Sequence, residues 1–200
     1  TGAPLAYMSA NILSAYRTGA VPGVGFKYFA REDAKTVGII GPGVMSKTAF
    51  DAAMAVRPGI ETVRIKGSSL TSPSAQKFAE RVRRKYPSVR NIEIVATVEE
   101  AVRDADIVEI ATSSPTGDPS TYPYLDEAWL KPGAVVACPA AARFDDDFIL
   151  NRARIVTDNI MLYEAWADEM PYPAYETIPI PAVHCMDLIH DGKMTRDQID

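Results

Sequence analysis

The chain has 200 residues, 47% hydrophobic and 24% charged, and its 21 basic and 26 acidic side chains leave a net charge of −5. That mix is the ordinary globular one and excludes a disordered chain, a collagen and a coiled coil; no apolar run approaches the roughly 18–20 residues of a membrane helix, and an acidic chain with only local basic clusters is a poor general nucleic-acid binder. Two cysteines, Cys138 and Cys185, are too few for a disulfide framework or a zinc ribbon. Residues 1–34 read as a strand-like start and then a helix interrupted at Pro22-Gly23. Val37 to Ile40 is a short apolar run that ends in a Gly41-Pro42-Gly43 turn. Met45, Ala49, Ala52, Ala53 and Val56 then recur at the spacing of one helix face, over 44–56, until Pro58-Gly59 stops it. Thr62 to Ile65 alternates as a strand, 74–86 is an amphipathic helix, 91–97 a third strand and 98–105 a short Glu-rich helix. Further strands are expected at 106–112, 134–138 and 154–157, with a helix over 145–152 whose acidic first turn suits its dipole.

Strands alternating with helices at this spacing predict an α/β fold: a doubly wound parallel sheet covered on both faces, with right-handed crossovers. Residues 171–181 carry four prolines and read as a long ordered loop. The chain opens on Thr1 without a methionine or signal peptide and closes on a polar stretch, so the expectation is a cytoplasmic piece of a longer protein.

Gly41-Pro42-Gly43-Val44-Met45-Ser46 matches G-x-G-x-x-(G/A) with a small Ser in third place, at a strand-to-helix turn. The first glycine allows the turn, the second lets a pyrophosphate approach the backbone, and the helix N-terminus supplies N–H donors. An NAD site would end its second strand in an acidic residue. Here Lys66, Ser68 and Ser69 stand instead, a set able to hold a 2′-phosphate, which leans toward NADP over NAD. The plainer alternative is a set of turn residues.

Arg17-Thr18-Gly19-Ala20, then Lys27-Tyr28-Phe29-Ala30-Arg31, then Gly38 to Gly43, resembles the ornithine cyclodeaminase/μ-crystallin family, which carries an Arg-Thr-Ala-Ala motif just before its nucleotide-binding domain. Trp129-Leu130-Lys131-Pro132-Gly133 and Asp187 to Lys193 resemble later segments of that family. The long stretch 113–124 resembles a bacterial subgroup that carries a tyramine oxidase label. The resemblance implies a Rossmann domain over 35–170. Residues 1–34 and 171–200 would then be pieces of a second α+β domain for substrate and dimerisation. It further implies hydride transfer at Cα of an amino acid or its cyclic imine, a homodimer, Arg17 as the substrate-carboxylate clamp, and Thr18 on the cofactor. Thr112, Ser113 and Ser114 end the fourth strand, where a doubly wound sheet opens its crevice, and Cys138-Pro139 would line the nicotinamide. Alternatives left open are a cyclodeaminase-type ammonia lyase with internally recycled NAD, and a non-catalytic NADPH-binding protein.

Two departures qualify that resemblance. The family's catalytic lysine, expected ahead of the Arg-Thr motif, has no counterpart in the 200 residues. The acid that follows the fifth strand in ornithine cyclodeaminases falls here in the stretch Ala137-Cys138-Pro139-Ala140-Ala141-Ala142-Arg143, where the matching position is apolar. Asp145, Asp146 and Asp147 read better as a helix's first turn, which argues against strict ornithine cyclodeaminase activity. His184 and His190 lack metal-ligand spacing, so no metal is expected. Arg81, Arg83, Arg84 and Lys85 read as a solvated helix face, and Tyr122 and Tyr124 either as a pocket wall or as loop packing.

Overall fold

The computed structural model describes residues 2–114, 118–159, 161 and 183–184. Its centre is a five-stranded parallel sheet in the order β3-β2-β1-β4-β5. The strands are β1 (Thr36–Ile40), β2 (Thr62–Lys66), β3 (Asn91–Val95), β4 (Ile107–Ile110) and β5 (Val135–Ala137). β1 pairs with β2 through Ile39↔Ile65 and with β4 through Ile39↔Glu109. The helices are α1 (Asn11–Phe29), α2 (Val44–Val56), α3 (Pro73–Lys85), α4 (Val98–Val102) and α5 (Asp146–Asn151).

α3 and α4 follow from local chemistry. α3 buries Ala75, Phe78, Ala79 and Val82, the i, i+3, i+4, i+7 stripe, and its last turn is Arg83-Arg84-Lys85, which suits the negative end of the dipole. Pro73 sits in its first turn, where a missing N–H costs nothing. α4 is only five residues long and is held by a capping box: Thr97 accepts from the Glu100 N–H, and the Glu100 carboxylate accepts from the Thr97 N–H. One face of the sheet packs Ile39, Ile65 and Ile107 against Phe26, Phe50 and Phe78; the other packs Ile40, Val108 and Ile110 against Ala101, Val102 and Leu125. β1 and β4 are therefore apolar almost throughout, as central parallel strands must be.

Two buried charged groups tie this layout together. The Asp106 carboxylate accepts the backbone N–H groups of Lys35 (2.8 Å) and Thr36 (3.0 Å) and pairs with Lys131. The buried Arg57 donates to the carbonyls of Lys27, Ala30 and Arg31 and so satisfies the C-terminal end of α1.

Three expectations are corrected. Residues 2–10 have no regular structure, not a strand-like start. The helix is not interrupted at Pro22-Gly23, because α1 runs unbroken through both. These residues are buried against α2, where a Cβ on Gly23 would lie 2.5 Å from the Ala52 Cβ, so their small size serves close helix–helix approach. The strand at β6 (Val156–Thr157) does not extend the main sheet; it pairs in parallel with β7 (Val183–His184). The proline-rich stretch 171–181 and His190 lie outside the described residues, as does the side chain of His184.

Candidate functional site: the crevice between β1 and β4

The chain leaves β1 toward β2 on one side and reaches β4 on the other, so the sheet's switch point lies between β1 and β4. Crevices for ligands open at the C-terminal ends of strands at such points. Gly41 closes the floor. Its φ is +85°, and a Cβ there would meet the Ala111 carbonyl oxygen at 2.5 Å and the Thr112 nitrogen at 2.9 Å. Ser46, third in the motif, donates from Oγ to the Gly41 carbonyl at 2.7 Å and pins the helix start to the turn. Gly43 is different. It is exposed, and a Cβ there would approach only the Gly41 carbonyl, at 4.0 Å. It is the N-cap of α2, has no side chain to cap with, and leaves the N–H groups of Val44, Met45 and Ser46 without acceptors among the described residues. An open cradle, unpaired N–H donors and the positive end of a 13-residue helix suit a pyrophosphate. Pro42 is buried beneath the turn, while Val44 is exposed and Met45 half-buried at its rim.

α1 lies parallel to α2 with a fixed offset. A Cβ on Gly19 would meet Thr48, as one on Gly23 meets Ala52, and Thr48 Oγ1 donates to the Ala15 carbonyl at 2.8 Å. That offset sets Arg17 and Thr18 beside the first turns of α2, at the glycine-turn end of the domain. Thr18 is half-buried. Arg17 is exposed and makes no hydrogen bond or ion pair among the described residues.

At the end of β2, Lys66 is half-buried and its ammonium donates to the Gly67 carbonyl. Ser68 and Ser69 are exposed, and the Ser69 hydroxyl lies 3.3 Å from that of Thr71. Lys66 and Ser69 are turn-bonded as they stand, and the set presents polar atoms where the second strand ends.

At the end of β4, Thr112 Oγ1 lies 3.2 Å from Ser114 Oγ, and Ser114 donates to the Thr121 carbonyl at 3.0 Å, while Ser113 is exposed. The long loop is thus drawn back onto the crevice. Tyr124 packs that loop rather than opening a pocket: its ring meets Trp129 edge-on at 6.0 Å, Arg143 sits over it, and its hydroxyl donates to Asp145. Cys138 and Pro139 are exposed at the end of β5. Desolvation and the neighbouring Glu109 carboxyl both push the Cys138 thiol pKa upward. Its exposed area tempers the first cause, and the second acts only when Glu109 is ionised; both work toward a thiol rather than a thiolate nucleophile at neutral pH.

Three groups take on roles that the sequence alone does not show. Arg81 and Lys85 are not a merely solvated pair: both grip Asp51, at 2.6 and 2.7 Å, and Tyr86 donates to the same carboxylate. Arg57 was hidden because its partners are carbonyls far back in the chain. Glu109 is buried in β4 with both carboxyl oxygens lacking a partner among the described residues. The one signal for it was an acid standing inside the apolar run Ile107-Val108-Glu109-Ile110. Among the described residues no three His, Cys, Asp or Glu side chains gather where they would hold a metal ion, and no helix is long and apolar enough to cross a membrane.

The parallel order, the glycine turn and its open helix N-terminus define a Rossmann-type domain. The chain belongs to the ornithine cyclodeaminase/μ-crystallin family, whose model matches residues 1–175. It is 37% identical over 116 residues to a Δ1-pyrroline-2-carboxylate reductase of Bacillus cereus, covering 58% of this chain and 34% of that protein. It is 28% identical over 162 residues to the ketimine reductase μ-crystallin of Macropus fuliginosus, covering 79% and 47%. The solved Thermococcus litoralis Δ1-pyrroline-2-carboxylate reductase, in complex with NADH and L-proline, matches 99% of this chain and 55% of its own, at 27% identity and a TM-score of 0.66. The chain therefore spans about a third to a half of the curated relatives it matches.

Proposed function

We propose that this chain forms the dinucleotide-binding part of an NAD(P)-dependent oxidoreductase that moves hydride between the nicotinamide and Cα of an amino acid or its imine. Cyclic ketimines are the first substrate class to test. One observation carries the reading: Gly43 stands open beside N–H groups of α2 that have no acceptor among the described residues, and α1 brings Arg17, exposed and without a partner among them, to the same end. Similarity to pyrroline-carboxylate and ketimine reductases supports the chemistry.

The bound dinucleotide would supply the hydride or accept it. The protein's part is to hold and orient. The Val44 and Met45 N–H groups take the pyrophosphate, with Pro42 shaping the turn beneath it. Thr18 bonds the cofactor from α1. Thr112, Ser113 and Ser114 present backbone and hydroxyl groups along the nicotinamide side, and Cys138 and Pro139 close it from β5. Arg17 clamps the substrate carboxylate, for which its planar fork is the matching shape. Lys66, with Ser68 and Ser69, faces a 2′-phosphate and favours NADP(H) over NAD(H). Residues 35–170 make up the cofactor domain, while 1–34 and 171–200 belong to a substrate and dimerisation domain of a homodimer.

The test uses the full-length protein with a panel of cyclic ketimines and amino acids. Net consumption of reduced nicotinamide with a ketimine is the expected result. Ammonia release without net absorbance change would replace this reading with a cyclodeaminase. Tight binding with neither reaction would leave a cofactor-binding protein without catalysis.

A further inference from the structure

The Glu109 side chain lies one residue from the end of β4, at the switch point itself. It sits in register with Ile39 of β1 and Ala137 of β5, and shares the sheet face of Ile107 that α1 and α2 cover. It is 1% exposed, and neither oxygen has a partner among the described residues. A buried carboxyl with no hydrogen bond costs several kcal/mol when ionised, so a protein keeps it neutral unless something positive arrives. No ionisable side chain stands on β1 or β5. The other faces bring Tyr16, Arg17, Lys27 and Tyr28 on α1, Lys47 and Asp51 on α2, and Cys138 after β5, whose thiol responds to the Glu109 charge. Arg17 and Lys27 are exposed, and Asp51 is already taken by Arg81, Lys85 and Tyr86.

We propose that Glu109 is a proton-linked positioning residue for the dinucleotide: it ionises when the crevice holds the oxidised, cationic nicotinamide, while the reduced ring leaves its proton as it is in the empty crevice. This rests on the reading that the crevice takes a dinucleotide. Burial alone pushes the Glu109 pKa up to about 8, so a modest added field moves its proton within the neutral range. The consequence is a cofactor preference set by pH. Oxidised dinucleotide binds more tightly as pH rises, because the proton it must displace is already leaving, while reduced dinucleotide is indifferent.

The experiment titrates the full-length protein with NAD+, NADH, NADP+ and NADPH from about pH 6 to about 9, in wild type, Glu109→Gln and Cys138→Ser. In wild type the affinity for the oxidised forms is expected to rise by up to about tenfold per pH unit over the titration of Glu109, while that for the reduced forms stays flat. Glu109→Gln should abolish the slope and Cys138→Ser should keep it. A flat wild-type profile, a slope that survives in Glu109→Gln, or a slope lost in Cys138→Ser overturns the proposal. Calorimetry of wild type in buffers of different ionisation enthalpy covers a Gln variant that fails to fold: proton release with NAD(P)+ and none with NAD(P)H is expected, and equal release with both overturns it. Failure of all four dinucleotides to bind would instead overturn the underlying reading of the crevice.

Discussion

Gly41 and Gly43 stand two residues apart in one turn, and the structure gives them opposite roles. In Gly41→Ala the new methyl must point at the backbone that follows β4, 2.5 Å from the Ala111 carbonyl oxygen, 2.7 Å from its carbon and 2.9 Å from the Thr112 nitrogen. None of these is the free end of a side chain. An alanine at φ +85° also carries the left-handed penalty of about 1–2 kcal/mol. Prising the strands apart adds about 1–3 kcal/mol of overpacking. The sum, about 2–5 kcal/mol, corresponds to a fall of roughly 5–15 °C in melting temperature for a domain of this size. In Gly43→Ala φ is −84°, and the methyl enters open space. Stability should change by less than about 1 kcal/mol, since the worse N-cap and the stiffer unfolded chain nearly cancel. That open space is where a pyrophosphate would approach, so dinucleotide affinity should fall at least about tenfold, a loss of about 1.4 kcal/mol. Thermal denaturation and dinucleotide titration of the two full-length variants test this together. If Gly43→Ala binds dinucleotide as wild type does, the cradle is misplaced; if Gly41→Ala melts like wild type, the account of the turn is wrong.

Other outcomes follow from the same geometry. Lys66→Ala should weaken NADPH binding about tenfold and leave NADH unchanged, and an equal effect on both would remove the 2′-phosphate role from this residue. Arg17→Ala should raise KM for a carboxylate-bearing substrate far more than it alters cofactor affinity, as steady-state kinetics beside cofactor titration will show. Gly23→Leu should disrupt the seam between α1 and α2 and cost about 3 kcal/mol or more, read by urea denaturation. Asp51 feels burial, which raises its pKa, but hydrogen bonds from Arg81, Lys85 and Tyr86 outweigh it and hold the carboxyl below its ordinary range. With the folded value below the unfolded one, its contribution is fully present above about pH 4 and is lost as pH falls through the folded value. Asp51→Asn should therefore cost about 1–3 kcal/mol at neutral pH and much less in acid; an equal cost in both would refute the pairing.

Much of the fold was legible because its elements announce themselves locally. The α2 boundaries read from apolar spacing and Pro58-Gly59 coincide with the observed Val44–Val56. The parallel sheet followed from alternation alone, since strands joined through helices have few other ways to pack. Misreadings came where a local signal served a distant partner. Pro22-Gly23 looks like a helix break in sequence, yet in α1 close contact with α2 offsets the missing N–H. Arg81 and Lys85 look like solvent-facing charge until Asp51, 30 residues earlier than Arg81, is seen between them.

The sequence by itself determined the α/β class, the glycine turn and the candidate residues at the strand ends, because strand and helix periods and turn chemistry are properties of neighbours along the chain. Only the tertiary structure decided that Gly41 is closed and Gly43 open, that α1 sets Arg17 beside the first turns of α2, and that Glu109 is buried without a partner among the described residues at the switch point. Each depends on what another segment places within a few ångströms, and no local pattern of residues encodes the distance between segments 70 positions apart, such as Gly41 and Ala111.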